Sequence, residues 1–284
     1  MSAPTIVVSD DPVREAAVRL RAALETHGPR LAISGGSALR VIARLFERDV
    51  SPESAGSAAD VSPESAGSAA DVSPESAGSA ADVSPESAGA AADVSPESAG
   101  SAADLADDFV VFPLRELVLT WVDERVVPRA SSESNAGEAE RLVALPHHVP
   151  LLNDDELDAP NHAIARMERA IDDELRGALD VTLLGLGEDG HVASLFPRVS
   201  DDASVLAWDS PSARVMLVER SPKPPPRRLT LTRSFLATAK VHVVFAVGAG
   251  KRDAIARLRA GDPALPATGL EGVVVVTDAA GAGE

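Results

Sequence analysis

The stretch VTLLGLGEDGHVASLFP, residues 181–197, sets a single histidine, His191, directly after an acidic turn punctuated by Gly185, Gly187 and Gly190. Residues 181–184 read as a short buried strand and residues 192–196 as the start of a helix. A strand, a glycine turn and a helix start make a place for an anion, because the free N–H groups of a helix's first turn point outward there. The plainer alternative is a turn made by glycines with His191 as an ordinary surface side chain, since one glycine-rich loop is a weak signal.

Three further segments offer matching chemistry. In Ser34-Gly35-Gly36-Ser37 the small residues let a phosphate approach the backbone, and the two hydroxyls can donate to it; a plain tight turn is the alternative. Asp123-Glu124-Arg125 follows an apolar run. Charges there are commonly a solvated strand end, yet an Arg so placed can grip a phosphate. SPKPPPRRLTLT, residues 221–232, is stiff and extended at its prolines and sets Lys223, Arg227 and Arg228 in an otherwise acidic protein. Alone it reads as a basic surface loop. Together the four segments describe a site for a small anionic ligand.

The elements around them alternate between strand and helix signals. Residues 5–9 form a short apolar run, and DDPVREAAVRLRAALETHG follows with helical spacing and a terminal Gly28. Residues 31–33 make a strand that leads through the Ser34 loop into a helix. Strands are expected at 117–122, 181–184, 215–219, 241–247 and 273–277, and helices at 138–145, at 162–178 and across GKRDAIARLRAG. Such alternation predicts an α/β fold with a mostly parallel sheet flanked by helices. In that architecture ligands sit beyond the C-terminal ends of the strands.

Bulk properties narrow the class. The hydrophobic fraction of 45% supplies a core, and aromatics at 3% make that core aliphatic. The absence of cysteine excludes disulfides, thiolate metal sites and a cysteine nucleophile, and fits a reducing cytosol. The N-terminus has no basic region with a long apolar stretch behind it, and no run approaches the roughly 18 residues of a membrane span. The expectation is a soluble, cytoplasmic protein with no membrane partner. A net charge of −18 argues against general nucleic-acid binding, which needs a basic face.

That charge is unevenly spread. Residues 49–103 are five copies of DVSPESAGSAA, beginning at Asp49, Asp60, Asp71, Asp82 and Asp93, with Ala90 as the one variation. Each copy carries one Asp, one Glu and no base, so the array accounts for −10 of the −18. Each unit has one Val besides its alanines, and a Pro and a Gly that interrupt a helix. Stacked repeats need a hydrophobic face to bury, which this unit lacks. The array is expected to be a disordered or weakly helical acidic insertion in one domain spanning 1–284, not a separate folded domain.

With these residues in view, the chain resembles the 6-phosphogluconolactonases of the pentose phosphate pathway. The matching pieces are SGGSALRVIARL, WVDERVVP followed by SESN, LLGLGEDGHVASLFP, SPKPPPRRLTLT, AKVHVVFAVGAGKRDAI and LPAT, in the family's order. The glucosamine-6-phosphate deaminases are similar in fold and in their Asp–Gly–His loop, but their sequence after the histidine differs from the VASLFP found here. One departure is Ala38-Leu39, where the lactonases usually have Thr-Pro.

The resemblance implies a Rossmann-like, isomerase/lactonase-type single domain with a low-complexity insertion. It implies hydrolysis of 6-phospho-D-glucono-1,5-lactone to 6-phosphogluconate, with no cofactor and no metal. In that chemistry His191 takes a proton from the attacking water and returns it to the ring oxygen. Asp189 orients the imidazole or the water, or only shapes the turn. Backbone N–H groups of the glycine turn are oxyanion donors. The phosphate falls to Ser34, Gly35, Gly36, Ser37, Arg125, Lys223 and Arg228, with Arg227 and Lys251 as further cations. The partner is a small phosphosugar lactone, and the assembly is a monomer or a dimer. A deaminase/isomerase and a non-catalytic sugar-phosphate sensor are the competing readings. His147 and His148, adjacent in a proline-flanked loop, make a poor metal site.

Overall fold

The computed structural model describes residues 3–47, 116–197, 210 and 212–283, and the repeat array lies outside them. The described chain builds ten strands and seven α-helices. Seven strands form one parallel sheet in the order β1-β10-β9-β6-β2-β3-β5. They are β1 (Thr5–Val8), β2 (Arg30–Ile33), β3 (Val118–Trp121), β5 (His148–Val149), β6 (Val181–Gly185), β9 (Val241–Phe245) and β10 (Val273–Thr277). Leu31, Ile33, Leu183, Leu184, Val243, Val244, Val275 and Val276 are all fully buried. Covered on both faces, the central strands take apolar residues at successive positions and read as unbroken runs.

Helices cover the sheet. Helix α1 (Pro12–His27) starts where the Asp11 carboxylate accepts from the Arg14 N–H at 3.0 Å, and Pro12 opens its first turn without losing a bond. It buries Ala16, Ala17, Leu20, Ala23 and Leu24, one stripe at helical spacing. Gly28, at φ 126°, ends it; a Cβ there would lie 2.6 Å from an Asp180 carboxylate oxygen. That carboxylate accepts from the Arg30 N–H at 3.0 Å and Nε at 2.7 Å, which ties β2 to the start of β6. Helix α2 (Leu39–Phe46) packs beside α1 through Leu39, Val41, Ile42 and Leu45.

Two helices shift from the sequence expectation. Helix α3 (Asn135–Leu142) starts three residues early because Ser134 caps it, accepting from the Gly137 N–H at 3.0 Å. Helix α4 (Pro160–Asp173) stops short of 178, where Arg176 and Gly177 take positive φ and the Gly177 N–H donates to the Ile171 carbonyl at 2.8 Å. Helix α5 (Arg233–Leu236) follows the small sheet, α6 (Arg252–Arg259) joins β9 to β10, and α7 (Ala279–Ala282) ends the fold.

A second sheet is antiparallel: β4 (Asp123–Arg125), β8 (Arg228–Leu231) and β7 (Val215–Val218), in the order β4-β8-β7. Its register places Arg125 opposite Arg228 and Asp123 opposite Thr230. Among the described residues no helix is long and apolar enough to cross a membrane.

Candidate active site

Within the parallel sheet the chain runs outward in two directions, from β2 to β3 on one side and from β6 to β9 and β10 on the other. The loops after β2 and β6 therefore flank the point where strand order reverses, which is where a cleft opens in such sheets. Ser34 to Ser37 stand on one side of it and Asp189 and His191 on the other.

The loop after β6 is a closed turn. The Gly187 N–H donates to the His191 carbonyl at 2.8 Å and the Gly190 N–H to the Gly187 carbonyl at 2.9 Å. Both are spent inside the turn, so neither is the oxyanion donor expected of it. Gly187 has no room for a side chain: a Cβ would sit 2.0 Å from His191 Nδ1 and 2.5 Å from Asp189 Oδ1. The imidazole lies against that bare backbone. Its Nδ1 is 2.5 Å from Asp189 Oδ1, and its ring centroid is 4.9 Å from that of Phe196. With Nδ1 donating to the carboxylate, Nε2 is the nitrogen left to accept a proton. Burial opposes the charge on Asp189, but the bond from His191 and the charges of His191 and Lys223 outweigh it. The carboxyl is held well below the usual carboxylate range. At neutral pH it is an anion that orients the ring.

The expected helix after His191 is not formed through residue 197. Ala193 has φ 52°, and Val192 bridges to Leu195. The apolar residues VASLFP are there to be buried, not to continue a helical face. Ser194 is fully enclosed and links the pieces. Its hydroxyl donates to Asp123 Oδ2 at 2.6 Å, and its N–H donates to Thr230 Oγ1 at 3.2 Å.

Asp123 and Glu124 are not a solvated strand end. Both are buried. Glu124 accepts from the N–H groups of Arg125 (2.7 Å), Asn135 (2.8 Å) and Ala136 (2.8 Å), and so caps α3 from a different strand. Burial raises its carboxyl above the usual range, because those bonds only partly offset desolvation. Asn135 donates through Nδ2 to the Asp123 carbonyl at 2.8 Å, and its Oδ1 lies where a Gly35 Cβ would be, 1.9 Å away. Gly35 is therefore required by packing. Gly36, with φ 62°, and Ser37 are exposed, and the space beside Gly36 is open. The Ser34 hydroxyl is drawn inward to accept from the Gly185 N–H at 2.9 Å, which pins the loop to β6.

The cations occupy different settings. Arg125 is half-buried. Its Nη1 donates to the Glu133 carbonyl at 2.6 Å, while its Nε has no partner among the described residues. Arg228 is buried, and its guanidinium serves the proline loop: Nε donates to Pro225 O at 3.0 Å, and Nη2 to Pro224 O at 2.9 Å and Lys223 O at 3.2 Å. Burial first, and Arg125 opposite it, lower its pKa against the pull of Asp123 3.8 Å away. Lys223 sends its Nζ to Asp189 Oδ1, 3.3 Å, and so stands at the imidazole's carboxylate. Arg227 pairs with Glu219 at 3.3 Å on the rim. Lys251 lies in the turn before α6. His147 reaches Glu174 at 2.5 Å and His148 reaches Glu140 at 3.3 Å, so the two point to separate partners. The described residues hold no group of three His, Cys, Asp or Glu side chains set to bind a metal.

Sequence reasoning missed Ser194, Asn135 and Glu124 as organisers of the site. SESN and SLFP carry the first two, but only the fold shows that they meet Asp123.

The chain is similar to known proteins in sequence and in fold. The family described as glucosamine-6-phosphate isomerases/6-phosphogluconolactonase matches residues 97–276. The 6-phosphogluconolactonase of Mycobacterium tuberculosis is 36% identical over 171 residues, covering 54% of this chain and 66% of that protein. The solved 6-phosphogluconolactonase of Thermotoga maritima superimposes with a TM-score of 0.62 at 18% identity, over 97% of this chain and 100% of that one. A monomeric glucosamine-6-phosphate deaminase superimposes with a TM-score of 0.60 at 14% identity, over 99% of each chain. The fold is thus common to both activities. The chain belongs to the glucosamine-6-phosphate isomerase/6-phosphogluconolactonase family.

Proposed function

We propose that this protein hydrolyses 6-phospho-D-glucono-1,5-lactone to 6-phosphogluconate in the cytoplasm, as a soluble enzyme of the oxidative pentose phosphate pathway. The observation that carries this reading is the Asp189–His191 pair, 2.5 Å apart at Nδ1, at the sheet's reversal point and across from the open Gly36–Ser37 loop. A lactone is an activated ester and needs water activation more than a covalent nucleophile. His191 Nε2 takes a proton as water attacks C1. The tetrahedral intermediate then collapses with cleavage of the bond from C1 to the ring oxygen. The imidazolium returns its proton to that oxygen, and the product is a hydroxy acid that ionises. Asp189 holds the ring with Nε2 outward and balances the imidazolium.

The phosphate is bound by Gly36, Ser37 and Arg125, whose unpartnered Nε suits an anion. Ser34 and Gly35 shape that loop, and Arg228 holds the proline loop beside it. The repeat array at 49–103 is an insertion between α2 and β3 within this one catalytic domain. A deaminase remains the rival within the same fold. The VASLFP turn, which seats Phe196 against the imidazole, favours the lactonase form.

Freshly made lactone mixed with pure protein tests this, with acid release compared to spontaneous opening. Acceleration is expected, and its absence overturns the lactonase reading. His191→Ala should lose about 10²–10⁴-fold in turnover while calorimetric binding of 6-phosphogluconate stays nearly intact. Near-normal turnover in that variant would remove His191 from the mechanism.

A further inference from the structure

Two nitrogen donors converge on one oxygen in this site. Asp189 Oδ1 accepts from His191 Nδ1 at 2.5 Å and from Lys223 Nζ at 3.3 Å. The lysine is brought there by a loop that is itself clamped. Its carbonyl and those of Pro224 and Pro225 all bind the buried Arg228 guanidinium, its N–H donates to Ser221 Oγ at 3.2 Å, and the Ser221 N–H donates to the Pro226 carbonyl at 2.8 Å. The ammonium is delivered from a fixed point on a neighbouring element.

Resting on the reading of His191 as the base, we infer that Lys223 is a positioning residue that sets the electrostatic poise of the Asp189–His191 pair. An undivided carboxylate beside an imidazole favours the imidazolium, which cannot accept a proton from water. The ammonium on the same oxygen subtracts from that field and so favours the neutral ring that can act as a base. The other charges facing the pair do not cancel this arrangement. Arg257 of α6 donates through Nη1 to the Asp189 carbonyl at 3.3 Å, but its Nε is paired with Asp262 at 2.8 Å. Glu188 is exposed and turned against Gly250 in the turn before α6, where Lys251 follows. Asp123 and Arg228, on the small sheet, are joined through Ser194 on the far side of the turn. Among the described residues, Lys223 is the cation that reaches the carboxylate oxygen shared with the imidazole.

The test compares wild type, Lys223→Met and Lys223→Arg by pH profiles of kcat/KM and by NMR titration of the His191 ring, assigned by the signal missing from His191→Gln. Lys223→Met should move both the acidic limb and the ring titration upward by about half to one pH unit. Lys223→Arg should restore most of that shift. Because the lysine side chain is partly exposed, about 1 M salt should shrink the difference. An unmoved ring titration in Lys223→Met overturns the inference, whether KM is unchanged or rises; a rise would place the ammonium on the substrate's phosphate. The ring titration does not depend on turnover. Failure of the lactonase reading would show as no acceleration by wild type, and failure of this inference as an unmoved titration.

Discussion

Gly187 is the residue on which the geometry of the Asp189–His191 pair turns. A Cβ there would lie 2.0 Å from His191 Nδ1, so even a methyl group displaces the ring from Asp189. Gly187→Ala should therefore cost about 10²-fold or more in kcat/KM while leaving the melting temperature within a few degrees, as activity and thermal scans on one preparation will show. A loss of fold instead of rate would contradict this. At this scale the sequence was legible where residue types stand out: Asp189 and His191 read as neighbours in one turn and are paired there. It was not legible where a polar residue works by being enclosed. Asp123 and Glu124 look like a solvated charge run, and nothing local announces that Ser194 and Asn135 will cover them. Lys223 was legible as a cation in a basic loop but not as the partner of Asp189, because that contact spans two separate loops.

Among the elements, the buried strands were the most legible. Residues 273–277 read as a strand and form one, since a parallel strand covered on both faces needs apolar side chains throughout. Strand β8 escaped because its four residues are all buried yet include Arg228 and Thr230, and they follow three prolines. The helix expected after His191 failed because its apolar residues serve a tight turn. Strand β9 brings one further polar group inside. His242 is completely buried, with Nδ1 2.7 Å from Thr182 Oγ1 and Nε2 without a partner among the described residues, and burial pushes its pKa down to about 4. The folded value lies below the ordinary one near 6.5, so protonation favours the unfolded chain. The contribution is intact above about pH 6.5 and is lost as pH falls toward 4. Between pH 7 and 5 this amounts to roughly 2 kcal/mol. Urea unfolding of wild type and His242→Gln at the two pH values should show a smaller acid loss in the variant; equal losses would exclude His242 as the cause.

Across the whole molecule, chemistry and anchoring sit at opposite ends of the parallel strands. The Arg30–Asp180 tie holds the ends where β2 and β6 begin, while the loops that follow those strands carry the site. In sequence, the eleven-residue repeats fall between α2 and β3. A long insertion there costs only a slowly rising closure entropy. Arg125 and Arg228 face each other across β4 and β8, two cations in register with an Nε of the first unpartnered. Like charges so placed weaken a strand pair, and Asp123, 3.8 Å from Arg228, offsets this on the Arg228 side. On the proposed function, a phosphate-bearing ligand held there would also be a structural component, and the folded population would follow its concentration by mass action. At a concentration 100 times its dissociation constant, 6-phosphogluconate should add about 2.7 kcal/mol to the unfolding free energy of the wild type. In thermal scans at matched ionic strength, Arg125→Ala should have a far smaller response to the same ligand. Equal responses would mean that the anion settles elsewhere.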